Sequence, residues 1–289
     1  MPVAPATATP FSREKIMQVA RALPADLQVL SALGEMLQDL NSELDDIAGL
    51  LRRDVALAAR IVRISNSPLF GGGGRIASIE DAVNRVGFGE ILKLVGTASV
   101  ARFGERALEV YGIGAQTLRD NMLYSAIAAE AIARVSGIDP RVAYTAGLLR
   151  PMGLLVLDRA NRGTLRPGQG YDAAQWDSYS AWEGSLFGVD NCEVAGMILE
   201  EWRFPAELCN AIRAHYLTKE VDYDRPLAVV LNVSNGLAHR AERSFPGEAR
   251  WWALTDPKLL VAGITEDYID PAIEEIEVAF SATVAALAM

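Results

Sequence analysis

The chain of 289 residues has two cysteines and two histidines, and it has fewer basic residues than acidic ones. Cys192 and Cys209 are too few for a disulfide framework. Neither has a companion at zinc spacing, so both read as small buried hydrophobes. No signal-peptide pattern opens the chain, and its apolar runs are broken by Gly, Pro or charge before the ~20 residues a spanning helix needs. The expectation is a cytoplasmic protein without a membrane partner. Sustained alternation of apolar and polar residues between hairpin turns is also missing, as is any solenoid period. With 27 basic and 37 acidic residues the formal charge is −10 and the sequence pI about 4.8. Such a chain repels nucleic acid and anionic membranes as a whole, so no direct nucleic-acid contact is expected, although a local basic patch is compatible with the total.

What is present is apolar material, 51% of the residues, enough for one large or two ordinary domains. Residues 1–10 are Pro, Ala and Thr without periodicity and are expected to form a disordered tail. From Phe11 onward the patterning is helical. Ser42 to Asp45 has the form of a capping box ahead of Leu44, Ile47, Ala48 and Leu51, and a second helix is expected to bury Leu57, Ala58, Ile61 and Val62. The run from Ser65 to Gly74 reads as a glycine-rich connector. It lacks the Gly-Lys-Ser/Thr that a phosphate cradle requires, because Arg75 and Ile76 follow. Ser78 and Asp81 suggest another cap, for a helix closed by Gly87, and a further helix covers Ile91 to Val100. The break at Tyr111-Gly-Ile-Gly114 divides a lobe of residues 11–112 from one of residues 113–289.

The second lobe has sharper punctuation. An Ala-rich helix from Met122 to Val135 ends at Gly137, and Asp139-Pro140 supplies an N-cap followed by Pro at the first helical position. Pro205, Pro226, Asp256-Pro257 and Asp270-Pro271 open further helices. The fold class expected is all-α, a two-lobed helical bundle. The most apolar segment, residues 144–158, contains an arginine and a proline side by side, Arg150-Pro151, flanked by Gly147 and Gly153. A proline there removes a backbone donor and crowds the carbonyl of Gly147.

The order of motifs then becomes specific. Leu57-Ala-Ala-Arg60-Ile-Val-Arg63-Ile-Ser-Asn66, Ser78-Ile-Glu-Asp-Ala82 to Gly87, and Ala146-Gly-Leu-Leu-Arg-Pro-Met-Gly153 are followed by Trp182-Glu-Gly-Ser-Leu-Phe-Gly, Trp202-Arg-Phe-Pro205 and Ala211-Ile-Arg-Ala-His215. In this order they resemble the HDOD family, the HD-related output domain of bacterial signalling proteins, over roughly residues 20 to 240. The resemblance implies that the second lobe is built like the HD phosphohydrolases, whose histidines and aspartates hold a metal that activates water against a phosphate ester.

Placed by the resemblance, the first family His falls at Tyr124, the His-Asp doublet at Arg150-Pro151, and the next His at Asn191. The paired His falls at His215-Tyr216 and the last Asp near Asn235. Only His215 is an ordinary metal ligand, a guanidinium is permanently charged, and Pro151 has no donor atom. The expectation is therefore no metal, no cofactor and no phosphohydrolase activity. The chain would then be a signal-transduction module working through signalling-protein partners. Two alternatives remain open: a sensor of a nucleotide or other anion in the vestigial pocket, and a residual phosphohydrolase. In the bland version of that pocket Arg150 pairs with a nearby carboxylate. Elsewhere Glu200-Glu201 reads as a solvated edge, His239 as a structural residue, and Trp251-Trp252 as core in preference to a docking patch.

Overall fold

A computed structural model describes residues 11–288 except residue 24 and residues 37–41, 67–69, 71–73, 104–106, 164 and 166–168. The expected tail at 1–10 and most of the glycine-rich connector lie outside the described residues. Among those described there is no strand, only an isolated bridge between Leu108 and Ile113. The all-α fold is what the sequence led us to expect.

The first lobe comprises α1 (Arg13–Arg21), α2 (Ala25–Met36), α3 (Leu44–Leu51), α4 (Val55–Ser65) and α5 (Ile79–Phe103). Amphipathic spacing sets each buried face. α3 buries Ile47, Ala48 and Leu51, α4 buries Leu57, Ile61 and Ile64, and α5 receives both. The cap of α3 differs from expectation by one residue. Glu43 is the N-cap and its N–H donates to the Asp46 carboxylate at 3.0 Å, because Ser42 stands one position too early. Ala58 and Val62 are only half-buried, since Ile64 and Ser65 take the inward positions. Ser78 caps α5 as expected, its hydroxyl accepting from the Asp81 N–H at 3.0 Å. Gly87, at φ 68° and ψ 177°, breaks that helix, which resumes directly after it. α1 packs across the divide, on the second-lobe helices spanning Met152–Asn161 and Asn191–Glu201.

The second lobe surrounds α6 (Ala115–Ser136), which starts a full two turns before the expected Met122 and ends at left-handed Gly137. Around it lie α7 (Pro140–Leu149), α8 (Met152–Asn161), α9 (Tyr179–Phe187), α10 (Asn191–Glu201), α11 (Ala206–Ala214), α12 (Pro226–Arg240), α13 (Asp256–Ala262) and α14 (Ile269–Ala288). α14 starts at Ile269, one residue ahead of the expected Asp270. Small residues let backbones meet: a Cβ on Gly147 would lie 2.8 Å from the Ser125 carbonyl oxygen of α6, and one on Gly153 1.8 Å from that of Asn191.

The lobes are joined by α5 against α6 and α7, and by α14, which reaches back to α4. At the junction Lys93 Nζ lies 2.8 Å from both carboxylate oxygens of Glu130, and the Thr97 and Tyr144 hydroxyls are 2.7 Å apart. Among the described residues no helix is long and apolar enough to cross a membrane.

Backbone contact at Gly153 sets where α10 begins. Gly153→Ala should therefore destabilise the protein by ~3 kcal/mol or more in denaturant unfolding. Gly184→Ala, on the exposed side of α9 with nothing within 4 Å, should stabilise it by ~0.5–1 kcal/mol. Equal effects of the two substitutions would contradict this packing.

Candidate functional site

Arg150 ends α7 and Pro151 precedes α8, so the pair forms the junction of two helices. Proline cannot extend the hydrogen-bond ladder, and the chain turns there with the guanidinium pointing inward. Arg150 is 1% exposed and among the largest fully buried side chains. Its Nη1 lies 2.6 Å from Glu248 Oε1, its Nη2 donates to Asn121 Oδ1 at 2.7 Å, and the charged carbon sits 5.5 Å from the Phe245 ring and 5.6 Å from that of Trp252. Glu248 itself is fully buried, on a short 3-10 turn spanning Pro246–Trp251.

Other expected residues gather on this pair. The Tyr216 hydroxyl donates to Glu248 Oε1 at 2.8 Å and accepts from Asn191 Nδ2 at 3.3 Å. The His215 ring stacks on Trp252 and its Nε2 is 3.5 Å from Arg150 Nη1. His215 Nδ1 lies 2.6 Å from the Ile212 carbonyl oxygen, which makes it the protonated nitrogen and turns the Nε2 lone pair toward the guanidinium. Burial, and then the Arg150 charge, lower its pKa to about 3, so the imidazole is neutral. Asn232 Nδ2 of α12 donates to the His215 carbonyl at 2.8 Å and fixes the end of α11.

Asn191 extends the network to a second buried carboxyl. Its backbone N–H and its Nδ2 both donate to Glu183 Oε2 at 2.8 Å, and the Tyr111 hydroxyl donates to Glu183 Oε1 at 2.6 Å. Those donors favour the carboxylate, but burial outweighs them and pushes its pKa up to about 8. A continuous polar chain thus runs from Tyr111 through Glu183, Asn191, Tyr216 and Glu248 to Arg150 and Asn121.

Tyr124 and Asn235 stay outside this chain. Tyr124 is packed against Phe280, with the Arg243 guanidinium 5.5 Å from its ring. Asn235 accepts from the Ser125 hydroxyl at 3.0 Å and donates to the Leu231 carbonyl at 2.8 Å, so it ties α6 to α12. The α6 residue that meets Arg150 is Asn121, one turn before Tyr124 on the same face.

Sequence reasoning missed Glu248, Asn121 and Glu183. Glu248 carried one signal, a lone carboxylate between Phe245 and Trp251-Trp252. Trp252 is buried on His215, and Trp251 is partly exposed. Glu200 and Glu201 pair with Arg213 and Arg21 on the surface, and Cys192 and Cys209 are buried thiols.

The donors do not suit a divalent cation. The only lone pair of an imidazole here faces a guanidinium, and the nearest carboxylate is already neutralised by it. Among the described residues no three His, Cys, Asp or Glu side chains are grouped so as to hold a metal.

The HDOD domain matches residues 23–218. An uncharacterized protein of Treponema pallidum (strain Nichols) is 25% identical over 176 residues, which are 60% of this chain and 34% of that one, so the match spans about a third of the relative. Among solved structures, an HDOD domain protein of unknown function from Geobacter sulfurreducens has a TM-score of 0.63 at 22% identity, covering 94% of this chain and 99% of its own. A Shewanella amazonensis protein whose name assigns it provisionally to the phosphohydrolases has a TM-score of 0.66 at 21% identity, covering 94% and 98%. A Marinobacter aquaeolei protein named in the same way for signal transduction has 0.61 at 16%, covering 96% and 66%. At these identities the likeness is one of fold.

Removing one partner of a buried ion pair strands the other. Arg150→Ala should therefore cost ~3–5 kcal/mol in urea unfolding, and Arg150→Met with Glu248→Leu less than the two single changes summed; simple additivity would contradict the pairing. The two shifted groups act in opposite directions on the pH dependence of stability. Between the ordinary 6.5 of His and about 3, the unfolded chain takes up a proton that folded His215 refuses, so stability falls as pH drops. Between the ordinary 4.5 of Glu and about 8, folded Glu183 keeps a proton that the unfolded chain releases, so stability falls as pH rises. Melting temperature against pH should flatten on the acid side in His215→Asn and on the alkaline side in Glu183→Gln. With 196 of its residues matched by the domain and its helices superposing on solved members, this chain belongs to the HDOD family.

Proposed function

We propose that the chain is a non-catalytic signal-transduction module that acts through contacts with other proteins. The observation that carries this reading is the buried ion pair of Arg150 with Glu248, at the position where the resemblance puts the family's His-Asp doublet. A hydrolytic site of the HD type needs a metal to lower the pKa of a bound water, and a fixed cation with its own counter-ion offers neither a coordination position nor a base. Membership of the HDOD family, and a solved relative named for signal transduction, agree with the regulatory role. The acidic balance of the chain suits protein partners better than direct contact with nucleic acid.

A nucleotide in the same place would have to displace Glu248 from Arg150, and that carboxylate is held by Tyr216 as well. The sensor reading is therefore the weaker one.

With Mn²⁺ or Fe²⁺ present, the purified protein should turn over neither bis-p-nitrophenyl phosphate nor cyclic dinucleotides, and His215→Ala should change nothing. Turnover that disappears in that variant would overturn the reading. A panel of nucleotides should leave the melting temperature unmoved. A ligand at a hundredfold its dissociation constant would add ~2.7 kcal/mol, and such a shift lost in Arg150→Lys would favour the sensor.

A further inference from the structure

In the first lobe, a groove of about 810 Å³ runs between α4 and the segment 74–77. Ala59, Val62, Ile76 and Ala77 form its floor, and Arg63 and Arg75 stand on its rim. We propose that this groove docks an acidic segment of a partner protein, with an apolar side chain on the floor and carboxylates on the two arginines. The proposal rests on the reading of the chain as a protein-contact module and names where one such contact is made.

Charge is the first ground. Residues 52–85 hold six arginines and three carboxylates, a local charge of +3 in a chain of −10, which leaves −13 on the remainder. Both rim arginines are exposed, and among the described residues neither is paired with a carboxylate. Arg134, Arg162, Arg213 and Arg243 in the second lobe are paired and Arg159 and Arg225 there, among the described residues, are not, so what sets Arg63 and Arg75 apart is that both border one groove with an apolar floor. In a protein with carboxylates in excess, two exposed guanidinium groups without them leave a surface complementary to an anion.

Preorganisation is the second ground. Asn66 Nδ2 donates to the Val62 and Ile76 carbonyls at 2.8 and 3.0 Å, and the Ile76 N–H donates back to its Oδ1 at 2.9 Å. Arg85 Nη2 donates to the Gly74 carbonyl at 2.7 Å. The two walls are thereby fixed before anything binds, which lowers the ordering cost of docking.

Of the possible polyanions, a short acidic peptide fits and a nucleic acid does not. Charges act over about 8 Å at physiological salt, so a peptide seated in the groove is governed by Arg63 and Arg75 on its rim. A longer polyanion would extend over a chain whose remaining residues sum to −13.

A random dodecamer display library panned on the intact protein tests the proposal. Selected peptides should be enriched in Asp and Glu around an apolar residue. Their dissociation constants should rise tenfold or more in Arg63→Glu/Arg75→Glu and fall as salt is lowered. Far-UV circular dichroism and melting temperature check that the variant is folded, and Arg63→Gln/Arg75→Gln serves if charge reversal disturbs it. Selected peptides without acidic enrichment, or an affinity indifferent to both pairs of substitutions, would overturn the assignment. So would an oligonucleotide, or self-association in sedimentation, using the arginines in place of an acidic peptide. Phosphodiester hydrolysis by the same preparation would sink the protein-module reading instead, without touching the groove.

Discussion

Burying a guanidinium costs several kcal/mol unless a counter-charge and hydrogen bonds replace the water it loses. At the junction of α7 and α8 that replacement is partial: Glu248 neutralises Arg150, Asn121 takes its other terminal nitrogen, and Phe245 and Trp252 cover it, while Arg150 Nε and Glu248 Oε2 are buried without a hydrogen-bond partner among the described residues. The arrangement constrains its neighbours. Glu248 must be brought in by the 3-10 turn after α12, Tyr216 must present its hydroxyl to it, and His215 must stay neutral beside a fixed cation. The rest of the second lobe can be understood as the set of helices that holds these groups in one place.

An HD-type phosphohydrolase uses a comparable convergence of helices to place ligands around a metal. Here the positive charge is covalently part of the chain, and its anion is too. In the function we propose, that pairing takes the place of a metal and recognition falls to the surface. The surface proposed for it lies between α4 and the segment 74–77, where exposed Arg63 and Arg75 border a groove with an apolar floor.

Much of this was legible in the residues. The caps at Ser78 and Asp139, the stop at Gly137 and the break at Gly112 follow from local chemistry that needs no tertiary context, and they place the helices within a residue or two. Arg150-Pro151 stood out because charge and proline are both costly in an apolar helix. The start of α6 was less visible. Ala115 to Asn121 is polar on much of its surface, and helix there is set by packing against the second lobe more than by pattern. The partners of Arg150 were hidden for a similar reason. Asn121 and Glu248 lie 29 and 98 residues away along the chain, and no spacing rule links residues that meet only through the fold. Glu183 was concealed inside a recognisable motif, where its flanking Trp182 and Gly184 drew notice and its own burial did not.

The central claim is that a guanidinium stands where a metal would be held. Metal content after growth in medium supplemented with manganese, iron and zinc, followed by dialysis and mass-spectrometric analysis, tests it most directly. With Arg150 and Glu248 paired there, the protein should carry well under one equivalent of any transition metal, unchanged in His215→Ala. A full equivalent that is lost on substituting His215 would contradict it.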